Sequence, residues 1–162
     1  MNKPVLIGFV DAAHANDLRK RRSTTGYVFT YMGGAIVYRS VVQTVTAHSS
    51  TEAEFIAAVA AAKAAKYLRI LLEELGLPQE GPTILYEDNE STIKIINSKI
   101  PTNRTRHMEI RFFAIQGWKD KGSIEMKHIP GILNPSDAMT KNLGWVLHTR
   151  HARRMMGHYP TS

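Results

Sequence analysis

Four acidic residues have the type and spacing expected of a metal-binding or catalytic cluster. Asp11 ends one apolar run and Asp88 follows another, while Glu54 opens a long Ala-rich segment and Asp137 opens a shorter one. Burying a lone carboxylate is costly unless it is neutralised or paired, so acids at the ends of buried strands do not serve the core. Four such acids converging on one point would repel one another without a cation between them. The pattern therefore predicts a divalent-metal site.

The elements that would position these acids follow the order β-β-β-α-β-α-α-β-α. Apolar, aromatic or β-branched runs predict strands at residues 4–11, 27–31, 35–38, 83–87 and 123–128. Gly33-Gly34 predicts a tight hairpin turn between the second and third strands. Ser49-Ser50-Thr51 is the pattern of an N-cap and predicts an acid-led helix after it that runs to about Leu75. Helical spacing predicts further helices at residues 89–97 and 107–121 and a short one from Asp137. In the 107–121 helix, the apolar positions that fit the helical period are Ile110, Phe113, Ala114 and Trp118.

The first helix carries two acids near its start, and the helical period separates them. Glu54 begins a stripe with three- and four-residue spacing that ends at Leu72 and otherwise contains only alanine and leucine. Small residues beside Glu54 allow the helix to approach a sheet closely. Glu52 falls on another face and is interpreted as an acid that favours the positive end of the helix dipole. We therefore expect Glu54, and not Glu52, to face the strand-end acids.

Composition favours a polyanionic partner. The chain has 162 residues and a net charge of +7, which favours one domain with a surface that attracts nucleic acid. It contains no cysteine, so a disulfide scaffold and a cysteine-based zinc site are excluded. The N-terminal residues lack the pattern of a signal peptide, and no apolar run approaches the roughly 20 residues of a membrane span. We expect an intracellular, cytoplasmic protein with no membrane partner.

Six segments, in this order, match motifs of one family. They are Asp11–Ala13, Arg22–Phe29, Ser49–Ala57, Glu87–Asn89, Thr105–Arg111 and Asn134–Lys141. The chain resembles the ribonuclease H domain of copia-type LTR retrotransposon polyproteins, the C-terminal part of Pol. At Glu87 it departs from the family, which has Cys before the Asp-Asn pair.

The resemblance implies the ribonuclease H fold, an α/β arrangement with a mixed five-stranded sheet, strands one to three antiparallel, flanked by helices. It implies catalytic and metal-binding roles for Asp11, Glu54, Asp88 and Asp137. Two Mg²⁺ ions, for which Mn²⁺ would substitute, would lie roughly 4 Å apart in such a site. No small-molecule cofactor is expected.

The same resemblance implies a substrate and a partner. The substrate would be an RNA–DNA hybrid cleaved on its RNA strand, with RNA distinguished by its 2′-hydroxyls. The partner would be the reverse transcriptase domain of the same polyprotein, in virus-like particles. Substrate-binding residues are predicted at Asn89, Arg104, Arg106, His107 and Arg111.

Several features leave alternatives open. The loop before Asp137 lacks the histidine of many cellular ribonucleases H, and His128 is expected on a strand. We expect a catalytic domain over residues 1–143 and a basic, partly helical tail over residues 144–162. The histidines of this tail are better explained by contact with solvent or a polyanion than by metal binding, and Trp145 by packing. A non-catalytic domain that binds hybrid and braces a reverse transcriptase is one alternative, and another nuclease or integrase on the same fold is a second.

Overall fold

The computed structural model describes residues 4–17, 19–101 and 108–158. Its strands are β1 (Ile7–Ala13), β2 (Thr24–Tyr31), β3 (Gly34–Val42), β4 (Thr83–Glu87) and β5 (Ile124–His128). Its helices are α1 (Ser50–Glu74), α2 (Glu90–Asn97), α3 (Glu109–Asp120), α4 (Asp137–Thr140) and α5 (Trp145–Met155), with a 3₁₀ turn at Gly131–Leu133.

The five strands form one mixed sheet in the order β3-β2-β1-β4-β5. Strands β1, β2 and β3 pair antiparallel, whereas β4 pairs parallel with both β1 and β5. The predicted mixed five-stranded sheet, with its first three strands antiparallel, is confirmed. The parallel pairing aligns the carboxyl ends of β1 and β4, which is where Asp11 and Asp88 lie.

A two-residue turn joins β2 to β3. Met32 and Gly33 both have positive φ, 53° and 88°, as a type I′ hairpin turn requires. Tyr31 and Gly34 are the last paired residues on either side. The predicted hairpin is confirmed, with its turn one residue earlier than the Gly-Gly pair suggested.

Strand β1 extends two residues beyond Asp11, which corrects the expectation that this acid ends the strand. Asp11 pairs with Gly26 of β2, and Ala13 is the last paired residue. Ala12 and Ala13 stay in the extended strand because Thr25 and Thr24 of β2 are their ladder partners. Asp11 is thus fixed inside a strand and is fully buried.

Helix α1 begins and ends close to the predicted residues. The Ser49 side chain accepts a hydrogen bond from the Glu52 backbone N–H, and the Glu52 carboxylate accepts one from the His48 backbone N–H. This reciprocal arrangement is a variant of the capping box and gives Glu52 a structural role. The predicted stripe from Glu54 to Leu72 is buried, and Ala58, Ala61 and Ala65 have no exposed surface.

The buried face of α3 differs from the predicted one. Phe112 and Ile115 are buried, whereas Ile110 and Phe113 are 88% and 55% exposed. Gln116 explains the choice, because its Nε2 donates to the carbonyls of Ile96 and Ser98 at the end of α2. Two neighbouring apolar stripes fit the helical period, and these hydrogen bonds to α2 select one of them.

The sheet is covered on both faces. Side chains alternate along β1, so Leu6, Val10 and Ala12 pack with α1 in the core, while Phe9 points to the other face. Arg154 of α5 lies over the Phe9 ring, which places α5 on the face opposite α1. None of the helices in the described ranges combines the length and apolar character needed to cross a membrane.

Candidate metal centre

Three of the four predicted acids meet at the carboxyl ends of β1 and β4. Asp11, Glu54 and Asp88 each offer a carboxylate oxygen, and these oxygens lie within 4.8 Å of one another. Asp11 and Glu54 are buried, and Asp88 is partly exposed. Oxygen donors at this spacing suit a hard divalent cation such as Mg²⁺ or Mn²⁺.

The start of α2 fixes Asp88. Asn89 caps α2 by accepting a hydrogen bond from the Thr92 backbone N–H at 3.0 Å. The Thr92 hydroxyl then donates to the Thr51 carbonyl in the first turn of α1, at 3.2 Å. This link holds the first turns of α1 and α2 together, and with them Glu54 and Asp88. Gly131 lies against the same acid, because a Cβ there would be only 2.8 Å from Asp88 Oδ2.

Asp137 is brought to Asp11 by contacts around α4. Asn134 is buried, and its Nδ2 donates to the Val10 carbonyl of β1 at 2.9 Å, which anchors the loop before α4. Gly26 allows α4 to lie directly on β2, since a Cβ at this position would be 2.5 Å from the Thr140 side chain. The Thr140 hydroxyl donates to Asp11 Oδ2.

Lys141 lies between two of the acids. Its Nζ is 3.1 Å from Asp11 Oδ1 and 2.8 Å from Asp137 Oδ1. Asp137 is therefore linked to the cluster through a protein cation and is not among the three acids with converging oxygens. The sequence contained this signal in the Thr-Lys pair that closes the sixth motif, but the lysine was not interpreted as part of the site.

Glu87 is a fifth acid that the sequence reasoning did not include. Its side chain has no exposed surface. Its Oε1 accepts a hydrogen bond from the Asn89 backbone N–H at 3.0 Å, while its Oε2 has no hydrogen-bond partner within the described residues. The signal was the departure from the family motif, because a charged residue replaces a cysteine inside a buried strand.

The acids alter one another's proton affinity. Burial, followed by the charges of Glu87, Asp11 and Asp88, raises the pKa of Glu54 to about 11. Burial raises the pKa of Asp11 despite the Thr140 hydrogen bond and the Lys141 charge. Burial also raises the pKa of Glu87 well above its usual range, with Asp88 and Asp11 contributing. A divalent cation would reverse these shifts by stabilising the charged carboxylates.

The charged form of Lys141 is favoured, whereas the neutral form of the acids is favoured. Burial alone would lower the pKa of its ammonium group, but hydrogen bonds to Asp137 and Asp11 and their charges outweigh that effect and raise it. The side chain of Lys141 is 41% exposed, so it has a path to solvent if another cation takes its place.

Of the five predicted substrate-binding residues, the structure describes two. Asn89 lies beside Asp88; its Oδ1 caps α2, and its Nδ2 makes no hydrogen bond with the described residues. Arg111 is half-buried near the start of α3. Arg104, Arg106 and His107 fall outside the described residues. His128 ends β5, as expected, and is paired in register with Glu87.

Comparison with curated proteins identifies relatives among transposon polyproteins. The chain is 39% identical over 138 residues to the retrovirus-related Pol polyprotein from transposon TNT 1-94 of Nicotiana tabacum, covering 85% of this chain. It is 26% identical over 151 residues to that from transposon RE2 of Arabidopsis thaliana, covering 93% of this chain. The chain spans 10% of the length of each of these relatives. No family model matches the sequence.

Comparison with solved structures decides the fold. LC11-RNase H1, isolated from compost, matches with a TM-score of 0.63 at 19% identity, covering 86% of this chain and 94% of that one. The fold is that of ribonuclease H. The same enzyme in complex with an RNA/DNA hybrid matches with a TM-score of 0.61 at 16% identity, covering 83% and 93% of the two chains.

A reverse transcriptase chain also contains this fold. The protease-reverse transcriptase of prototype foamy virus matches with a TM-score of 0.51 at 16% identity. The match covers 80% of this chain and 17% of that one. The ribonuclease H fold thus occurs both as an almost complete chain and as a small part of a larger one.

Proposed function

We propose that the chain is a Mg²⁺-dependent endonuclease that hydrolyses the RNA strand of RNA–DNA hybrids during retrotransposon reverse transcription. The observation that carries the proposal is the convergence of Asp11, Glu54 and Asp88 within 4.8 Å on a ribonuclease H fold. The Pol relatives support the biological setting, and the ribonuclease H neighbours support the reaction class. Hydrolysis would leave 5′-phosphate and 3′-hydroxyl ends.

The acids fit a divalent metal for two reasons. Their donor atoms are all carboxylate oxygens, and the buried Oε2 of Glu54 has no hydrogen-bond partner in the described chain. Asp11, Glu54 and Asp88 would hold the metal, and Asp137 would join them when Lys141 moves away from Asp11. When bound, Mg²⁺ supplies Lewis-acid stabilisation of phosphate charge and activates water, with two ions sharing these tasks in our proposal.

The residues of the chain itself position the reacting groups. Thr140 and Lys141 orient Asp11 through hydrogen bonds to its two oxygens. The Asn89 Nδ2 is free to donate to a 2′-hydroxyl next to Asp88. Arg111 and the predicted Arg104, Arg106 and His107 would contact the hybrid, mainly at phosphates, so sequence preference would be weak.

One observation favours a second candidate, a non-catalytic domain that binds hybrid and braces a reverse transcriptase. Lys141 already neutralises Asp11 and Asp137 without a metal. If this ion pair persisted in the presence of Mg²⁺, Asp137 would be lost as a metal ligand. Two observations favour the enzyme: Lys141 is exposed, and no cation of the described residues contacts Glu54, Glu87 or Asp88.

The wider setting is also proposed. We place the chain in the C-terminal part of a copia-type Pol polyprotein, beside its reverse transcriptase domain, in cytoplasmic virus-like particles. The foamy virus neighbour supports a reverse transcriptase partner. Within the chain, we propose that residues 1–143 form the catalytic domain and residues 144–162 a basic tail that includes α5.

A cleavage assay tests the proposal. The chain is incubated with Mg²⁺ and, in parallel, with an RNA–DNA hybrid, double-stranded RNA or single-stranded RNA. We expect cleavage of the hybrid alone, and none after Asp88→Asn, which removes a metal-binding oxygen. Tight hybrid binding without cleavage would instead support the bracing domain. Full activity in EDTA would contradict the metal-dependent mechanism.

A further inference from the structure

Helix α5 attaches to the domain through an unusual buried face. Leu147, His151 and Arg154 follow one another at helical spacing and are at least partly buried. Arg154 Nη1 donates to the Leu133 carbonyl at 2.6 Å, and its guanidinium lies 4.9 Å from the centre of the Phe9 ring. His151, between them, is 1% exposed. An imidazole thus occupies a position where an apolar side chain would pack.

A surface cavity of about 1160 Å³ lies beside this helix. Its lining includes Trp145, Val146, Arg150, His151, Arg153 and Arg154, and no acidic residue. The sequence contains no Asp or Glu after Asp137. The cavity is therefore strongly electropositive, and none of the four catalytic acids contributes to it.

The buried histidine that lines this cavity has a polar atom without a partner. His151 Nε2 is buried and has no hydrogen-bond partner within the described chain. Burial, with the charges of Arg154, Arg150 and His148, lowers the pKa of His151. A buried nitrogen without a partner is costly, and a ligand that accepts its N–H would remove that cost.

Arg150 and Arg153 indicate that this ligand is an anion. Both are exposed, and neither forms an ion pair with any residue in the described ranges. Arginines in the last turn of a helix do favour its negative dipole end. The helix dipole does not account for the His151 nitrogen without a partner or for the exposure of Trp145. The Trp145 side chain is 81% exposed, which corrects the expectation that it packs in the core.

We propose that this cavity, lined by Arg150, His151 and Arg153, binds a phosphate of a nucleic-acid backbone outside the cleavage site. Guanidinium groups and an imidazole N–H donate to phosphate oxygens, and Trp145 offers a surface on which a base can stack. This contact goes beyond hydrolysis, because it uses none of the four acids. The contact would increase the affinity of the chain for a nucleic acid that also reaches the cleavage site of the same molecule.

Fluorescence anisotropy with a labelled RNA–DNA hybrid in EDTA tests the proposal without requiring catalysis. The Arg150→Ala/Arg153→Ala variant of the full chain is compared with wild type over a series of salt concentrations. We expect Kd to rise on the order of tenfold and the salt slope to fall by about two, as for two lost phosphate contacts. The control Lys63→Ala/Lys121→Ala removes the same charge from exposed sites on α1 and after α3, and should change Kd little. Equal effects of both pairs would overturn the proposal.

His151→Leu separates binding from packing. Leucine suits the buried face of α5, so thermal stability should be kept or increased, while the lost N–H should weaken hybrid binding several-fold. Unchanged binding by a folded His151→Leu protein would show that the imidazole is only a packing residue, and would contradict the assigned site. Binding to a protein partner alone, with no effect of these variants on nucleic acid, would also overturn it.

Discussion

On the Asp137 side of the acid cluster, Lys141 lies between two carboxylates, whereas on the Glu54 side no cation contacts the acids in the part of the chain described. On the first side, the ammonium group of Lys141 lies between Asp11 and Asp137 and forms an ion pair with each. The second brings Glu54, Glu87 and Asp88 together, with two buried oxygens that lack hydrogen-bond partners. The contrast shows that Lys141 neutralises one side, and our proposal that a metal neutralises the other side rests on it.

This contrast gives the two sides opposite roles in folding and function. Acids crowded without a cation destabilise the metal-free fold, since either their charge or their burial is unfavourable. The same crowding would favour binding of a divalent cation, because the cation would relieve both costs. The Lys141 side keeps Asp11 in position in the meantime, through hydrogen bonds to both of its oxygens.

The largest expected effect concerns Glu54, which is compared with its neighbour Glu52. Glu54→Gln should lower the rate of hybrid cleavage more than about 100-fold, because even outer partners of metal ligands cost roughly 10- to 100-fold. Glu52→Gln should leave the rate nearly unchanged and cost at most about 1 kcal/mol of stability, since glutamine can still accept the His48 N–H. Steady-state cleavage and thermal unfolding measure the two effects. A larger loss of cleavage rate in Glu52→Gln than in Glu54→Gln would show that we have assigned the wrong acid to the site.

Lys141→Met tests the neutralised side. Without the ammonium group, the metal-free protein should lose about 1–3 kcal/mol, less than for a fully buried pair because Lys141 is partly exposed. Metal affinity should rise, since Mg²⁺ no longer competes with the lysine for Asp11. Chemical denaturation in EDTA and a Mg²⁺ titration measure the two quantities. A gain in metal-free stability would show that Lys141 does not stabilise the acids.

A smaller effect is expected for Glu87→Gln, and it depends on pH. The folded-state pKa values of Glu54, Glu87 and Asp11 are raised, so the stability they contribute is present below about pH 4.5 and is lost as pH rises toward their folded values. Glu87→Gln removes one of these groups, so its metal-free melting temperature should exceed that of wild type increasingly between about pH 5 and pH 9. A difference independent of pH would mean that Glu87 has the same protonation state in the folded and unfolded chains, so that folding does not raise its pKa.

The sequence allowed the sheet, the helices and the convergence of Asp11, Glu54 and Asp88 to be predicted because each depends on short-range patterns. The Glu54 stripe and the Ser49 cap lie within one helix, and the strand runs lie within single segments. Lys141 and Glu87 were missed because their roles arise from residues far apart in the chain. The face of α3 was wrong for the same reason, since Gln116 chooses it through contacts with the end of α2.

The central claim, that the buried acids form a metal centre, is tested most directly by isothermal titration of Mn²⁺ into the metal-free protein. The account predicts saturable binding to wild type, loss or at least roughly tenfold weakening of that binding in Glu54→Gln, and unchanged binding in Glu52→Gln. Absence of binding to the folded wild type, or equal binding by all three proteins, would contradict it.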